Sequence, residues 1–220
     1  MTFHLCPLDA RAKKILAGNG HFQKIRTPIA RRAMSMPPAR LDPDDVRQAF
    51  VSGSRQIGSH FVKIYQYSPD FPLPMFHDVL SCFLPAAKDK YVAVWLVKEE
   101  KRFVIKGECY YVIIKTSDRQ VAFPQNCRQL EKTCLPSAHI DFSVYSGGIS
   151  LNYLESFSRG RGDGGRMITA LYNLAQRLRL KKICFYVKMS NMPAKGFYFY
   201  TDFGAPQDDS GCFWKVNVEL

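Results

Sequence analysis

The sequence predicts an α/β (α+β) fold in which helices cover a mixed β-sheet, and three stretches carry that prediction. In the first, residues 149–157 read as a strand, a glycine cluster follows, residues 165–180 read as a helix, and 182–188 read as the next strand. The helix rests on Met167, Ile168, Leu171, Leu174, Ala175 and Leu178, whose three- and four-residue spacing makes one apolar stripe. In the second, residues 91–98, 102–105 and 108–115 are rich in β-branched and aromatic side chains. Breaks at Glu99-Glu100-Lys101 and at Gly107 make them an antiparallel meander. In the third, residues 212–218 alternate and close the sheet.

The chain has 220 residues, 46% of them hydrophobic, which is enough for one good core. Its charge is unevenly spread. Residues 1–41 hold eight Lys or Arg against the single acid Asp9, a net of +7, whereas the remainder holds 23 against 18, a net of +5. With Pro28, Pro37 and Pro38 and little apolar periodicity, residues 1–40 read as a basic, flexible arm, and 41–220 as a single domain. Such an arm resembles a delivery segment, to an organelle or another cell; it also suits a grip on RNA or an acidic partner, or a solvated tail. A secretory signal would need an apolar stretch that these residues lack.

Folded structure is expected from Leu41. Asp42 caps, Pro43 suits a first turn, and Asp44 and Asp45 sit near a positive dipole end, so residues 46–54 should be helical. Residues 61–67 alternate as a strand, 68–74 are a proline-rich loop, and 75–84 form a helix stopped by Pro85. Residues 116–148, with Pro124, Pro136 and two cysteines, read as an insertion containing a short helical turn at 128–132. The longest apolar run, 91–97, is far too short to cross a bilayer, so no membrane partner is expected. Seven cysteines without pairing spacing point to a reducing, cytoplasmic compartment. Cys127, Cys134 and His139 could meet around a metal, but no CxxC or HxxxH spacing accompanies them, and no metal is expected.

The chemistry gathers at Ser158-Arg159-Gly160-Arg161-Gly162-Asp163-Gly164-Gly165. A strand, a glycine turn and a helix start together bind anions, because converging N–H groups meet the positive end of the helix dipole. Gly160, Gly162 and Gly165 satisfy the dinucleotide pattern GxGxxG, yet the next strand ends in Lys188-Met189-Ser190 and offers no acid for a ribose. The Walker pattern fails as well, since no Lys-Ser or Lys-Thr follows the glycines. Arg161-Gly162-Asp163 spells an adhesion tripeptide, which is common by chance.

The same residues resemble the coenzyme A signature of the GNAT N-acetyltransferases, Arg/Gln-x-x-Gly-x-Gly/Ala, through Arg159, Gly162 and Gly164. The setting matches too: a strand before, a helix and a strand after, then Asn191, Ala194, Phe199-Tyr200 and Phe203-Gly204. Two features depart from the family. The interval from Asn191 to Tyr200 is two residues longer than usual, so that Tyr198 fits the usual spacing from the asparagine, and Ala205 replaces a usual Phe. The resemblance covers residues 149–205 and implies a mostly antiparallel sheet with helices on both faces and splayed central strands.

It also implies roles. Leu154, Glu155 and Ser156 would offer main-chain contacts to a pantetheine arm, Arg161 to Gly165 would hold the pyrophosphate, and Arg159 and Arg161 would add charge. Arg159, Gly160, Arg161, Gly162, Asp163, Gly164, Gly165, Leu154, Ser156 and Asn191 are therefore the expected coenzyme contacts. Transfer to an amine needs a base, a fixed donor for the oxyanion and an acid for the departing thiolate. Glu155 is the candidate base, the main chain near Leu154 the oxyanion donor, and Tyr200, with Tyr198 in reserve, the acid. With no cysteine in the loop, direct transfer in a ternary complex is expected. The expectation is an acetyl-CoA-dependent N-acyltransferase whose acceptor is an amine on a protein or RNA. The alternative is an inactive fold of the same type that uses its arm for binding.

Overall fold

The structure, a computed structural model, describes residues 35–88, 90–99, 108–118, 137–157, 161–188, 197 and 213–220. Helix α1, Pro43–Ser52, begins as the capping residues predict: Asp42 accepts a hydrogen bond from the Asp44 N–H at 2.9 Å, and Pro43 occupies the first turn. It ends at Gly53, and strand β1, Ser54–Ile57, folds back on β2, His60–Tyr67, as an antiparallel hairpin. The expected helix ran to Ser54 and left no room for β1, whose four residues are too few to show a period. Helix α2, Leu73–Phe83, buries Phe76, Val79, Leu80 and Phe83.

Strands β3, Tyr91–Glu99, and β4, Cys109–Ser117, form where predicted and pair directly with each other, antiparallel, where the expected meander set 102–105 between them. The next element corrects the sequence reading. Residues 138–145, assigned to the insertion, form strand β5, Ala138–Tyr145, which pairs antiparallel with both β4 and β6, Gly148–Ser156. Its alternation is plain in retrospect: Ile140, Phe142 and Val144 are buried on one side, while His139, Asp141 and Ser143 lie on the other. Helix α3, Asp163–Arg177, then leads to β7, Lys182–Lys188, and β8, Phe213–Glu219, closes the sheet beside it. The expected strand at 102–105 and helical turn at 128–132 lie outside the described residues.

The eight strands of the described residues form one sheet in chain order. Pairing is antiparallel except at β2/β3 and β6/β7, where α2 and α3 make the crossovers. The fold is thus mixed and mostly antiparallel. Val92, Val94, Val112, Ile114, Ile140 and Phe142 face one way and share a core with α1, α2 and α3. Phe83 of α2 stacks on Phe142 with ring centres 5.5 Å apart. Among the described residues the helices stand on that face alone, so the expected cover on both faces is met on one. On the opposite face Trp95, Ala93 and Ile113 form a smaller apolar cluster, with Tyr65 stacked on Trp95 at 4.9 Å.

The end of the basic arm is anchored, against the expectation of flexibility as far as residue 40. The Ala39 N–H donates to the Ser81 carbonyl at 2.7 Å, and the Asn173 side-chain amide donates to the Met36 carbonyl at 2.8 Å. Met36 and Leu41 also pack on the core, so residues 36–41 bridge α2 and α3. Residues 1–34 lie outside the described residues.

Candidate active site

Strands β6 and β7 part. Their parallel register holds only at Ile149 with Ile183, Ser150 with Cys184, and Leu151 with Phe185, although both strands continue to Ser156 and Lys188. On its other edge β6 stays paired with β5 to Ser156. The Phe157 N–H donates to the Ser137 carbonyl at 3.1 Å, toward the β5 side. Alternation along the strand therefore turns the backbone N–H and C=O of Leu154 the other way, to the edge from which β7 has parted. A half-buried edge of this kind is a place for an extended ligand that carries amide groups.

A bulge marks the point of parting. Asp141 pairs with Tyr153 and Phe142 with Leu151, which leaves Asn152 as an extra residue in β6. The extra residue inverts the side-chain phase. Without it, the alternation set by Ile149 and Leu151 would point Tyr153 and Glu155 at the helices. With it, Leu154 pairs with Ile140 and packs on the helix-side core, while Glu155 pairs with His139 on the helix-free face. The Asn152 side-chain amide donates to Asp141 Oδ1 at 3.0 Å and to Ser143 Oγ at 3.1 Å, which holds the bulge in place.

At the end of β6 the glycine turn meets α3. Gly162 is the N-cap, with φ 76 and no side-chain cap, a conformation that glycine takes without strain. The Arg166 N–H donates to the Gly162 carbonyl at 3.1 Å and is the first bond of the helix. The N–H groups of Asp163, Gly164 and Gly165 consequently have no partner within α3. Gly164 is buried, and a Cβ there would lie 3.5 Å from the Phe197 ring. Asp163 does not present its carboxylate to a ligand, since it is 4% exposed and bonded to Arg166. Arg166 also reaches the Ala86 carbonyl and the Arg161 carbonyl, each at 3.1 Å, and so ties the turn to the end of α2. Arg161 and Gly162 are exposed.

The helix-free face carries the titratable groups. One cross-strand row runs Ala93, Lys115, His139, Glu155 over β3 to β6, and the next runs Trp95, Ile113, Asp141, Tyr153. Lys115 is fully buried, with its ammonium 5.1 Å from the centre of the Trp95 ring. The Tyr153 hydroxyl donates to Glu155, and the Tyr111 hydroxyl donates to Asp141. Partial burial, then that bond to Glu155, pushes the Tyr153 hydroxyl up to about 12. Burial, and then the Lys115 charge, pushes His139 down to about 4, so its ring is neutral near pH 7.

Of the residues expected from sequence, the structure gathers Leu154, Glu155, Ser156, Arg161, Gly162, Asp163, Gly164 and Gly165 around the end of β6 and the start of α3. Arg159, Gly160, Asn191, Tyr198 and Tyr200 lie outside the described residues. Sequence reasoning missed Asn152, Tyr153, Tyr186 and the role of β5 in presenting His139 and Asp141. The alternation of residues 138–145 could have found the last two; the bulge has no signature that a strand pattern shows.

No protein-family model matches the chain, and no curated protein matches it. Solved structures do. The PaiA N-acetyltransferase of Thermoplasma acidophilum, in complex with coenzyme A, aligns at 11% identity over 51% of this chain with a TM-score of 0.38. This chain spans 61% of the length of that one, which is under two thirds. The N-acetyltransferase PseH of Campylobacter jejuni aligns at 20% identity over 51% of this chain and 68% of its own, with a TM-score of 0.36. A chain from Desulfovibrio desulfuricans assigned to the GNAT acetyltransferases aligns at 12% identity over 82% of this chain and 96% of its own, with a TM-score of 0.34.

Proposed function

We propose that this chain is an acetyl-CoA-dependent N-acyltransferase of the GNAT type, acting by direct transfer to an amine. The observation that supports it most is the parting of β6 from β7 beside the glycine turn that starts α3. An extended pantetheine suits the outward-turned backbone groups of Leu154, and a diphosphate suits the N–H groups of Asp163, Gly164 and Gly165. The residues present therefore fit the coenzyme, with Arg161 near the turn as an exposed cation. When bound, acetyl-CoA would supply a thioester whose carbonyl an amine can attack.

The chain's own groups do the rest. The Leu154 N–H, turned to the open edge, is placed to donate to the carbonyl oxygen as charge builds there. Glu155, on the helix-free face next to the bulge, is the carboxylate toward which an amine's proton moves, directly or through a neighbour. Tyr200, or Tyr198, returns a proton to sulfur; both assignments rest on the family resemblance. The basic arm favours an acceptor amine on a protein or RNA, since a net of +7 in residues 1–41 repels a small polyamine.

The test is isothermal titration of the full chain with coenzyme A and with pantetheine, followed by a thiol-release assay with acetyl-CoA. Coenzyme A should bind at least tenfold tighter than pantetheine, because only coenzyme A carries the diphosphate. Tyr200→Phe should slow thiol release and leave coenzyme affinity intact. A chain that binds neither ligand is not an acyltransferase of this type. Removing residues 1–34 should cost activity on a macromolecular acceptor and spare a small amine.

A further inference from the structure

The helix-free face holds a buried group that nothing above uses. His139 is 6% exposed, and both of its ring nitrogens lack a hydrogen-bond partner. A polar group buried in that state is destabilising, and a visiting hydrogen-bond partner would relieve it. Its neighbours define what that partner is. On one side in the cross-strand row stands Lys115, on the other Glu155, which is next to the parting of β6 and β7. The row therefore runs from a cation inside the sheet to a carboxylate at the opening.

Two further groups sharpen the chemistry. Asp141, one row along, is a second carboxylate on the same face. The Tyr153 ring lies 5.0 Å from the His139 ring and is 44% exposed, and Tyr186 of β7, on the same face across the opening, is 62% exposed. Carboxylates and aromatic faces attract a cation, whereas Lys115 repels one from the inner end. A neutral imidazole offers a lone pair to an N–H donor. Because His139 is nearly covered, only a slim group can reach it.

We propose that this face is a binding site for an unbranched primary amine, such as a lysine side chain, with His139 accepting a hydrogen bond from the amino group and Glu155 balancing its charge. The proposal rests on the acyltransferase reading only for its biological use, as the acceptor subsite of that reaction. Burial keeps the ring neutral, and so able to accept, throughout the range above about pH 5. Lys115, Glu155, Asp141 and Tyr153 are the titratable groups of the described residues that face the ring.

The test uses the full chain labelled with 15N-histidine and a lysine peptide blocked at both ends, without coenzyme. The His139 ring nitrogen signals should shift saturably with the peptide, and the matching peptide with norleucine for lysine should leave them unmoved. His139→Gln and Glu155→Gln should each weaken peptide binding about tenfold or more, and His139→Gln should leave the dissociation constant of coenzyme A unchanged. Ring signals that stay still at millimolar peptide overturn the proposal, as does undiminished peptide binding by both variants. If His139→Gln does not fold, the ring shifts and Glu155→Gln decide alone. A wild-type chain that binds the peptide at His139 but not coenzyme A keeps the amine site and sinks the acyltransferase reading.

Discussion

Gly148 stands at the closed end of the short stitch between β6 and β7, and replacing it with alanine should disturb the stitch that sets the opening. Its φ is +152, and a Cβ built there would lie 2.3 Å from the Lys182 carbonyl oxygen, 2.9 Å from Lys182 Cγ and 3.2 Å from the Lys182 carbonyl carbon. Two of these three contacts are backbone, so no side-chain rotation relieves them. The backbone conformation costs an L-residue about 1–3 kcal/mol. The clash must also move β7 away from β6, where only three register pairs join them, and each hydrogen bond lost costs about 1 kcal/mol. Together these give a loss of about 3–5 kcal/mol, or a melting temperature lower by roughly 6–20 °C. Calorimetry measures the melt, and hydrogen exchange at Ile183 to Phe185 should show the fastest relative gain. A Gly148→Ala protein that melts within about 2 °C of the wild type would refute the claim that the two strands are pinned here without spare room.

Three further predictions follow from the same geometry. Gly162→Ala keeps only an ordinary 3.5 Å contact with Arg166, so its cost is the left-handed backbone, about 1–2 kcal/mol; thermal melts should fall by a few degrees and coenzyme A should bind more weakly. His139 is held at about 4 against 6.5 when unfolded, so the unfolded chain binds more protons between those values and stability rises with pH there. About 3 kcal/mol should be lost as pH falls from 6.5 to 4, and denaturant midpoints of His139→Gln should lack that component. Cys82 is 1% exposed and pushed up to about 12 by burial, so iodoacetamide should leave it unmodified in the native chain and label it only on unfolding, as peptide mass mapping would show.

The strand, turn and helix around Gly162 were readable because each leaves a local mark: alternation, glycines, a three- and four-residue stripe. The cap at Asp42 and the closing strand at 213–219 were readable for the same reason. What escaped was set by pairing across distance. Strand β5 has a clear alternation, but two prolines and two cysteines before it made the whole of 116–148 look like one loop. The direction of Glu155 depends on Asn152, an ordinary strand residue whose displacement arises from the register between β5 and β6. The docking of Met36 and Ala39 likewise comes from hydrogen bonds to Asn173 and Ser81 and from Met36 packing on the core, which no charge count foresees.

The sheet has a mechanical seam. Seven register pairs bind β8 to β7, but three bind β7 to β6, so among the described residues the last two strands form a flap joined to the other six by a short stitch, by α3 and by the contact of the Tyr145 hydroxyl with Cys184 Sγ. Anything laid along that seam would add rungs to a ladder that stops early, and its binding energy would appear as rigidity of the flap. Force applied to the two ends of the sheet should therefore open the molecule first between β6 and β7, and a ligand in the gap should raise the force required.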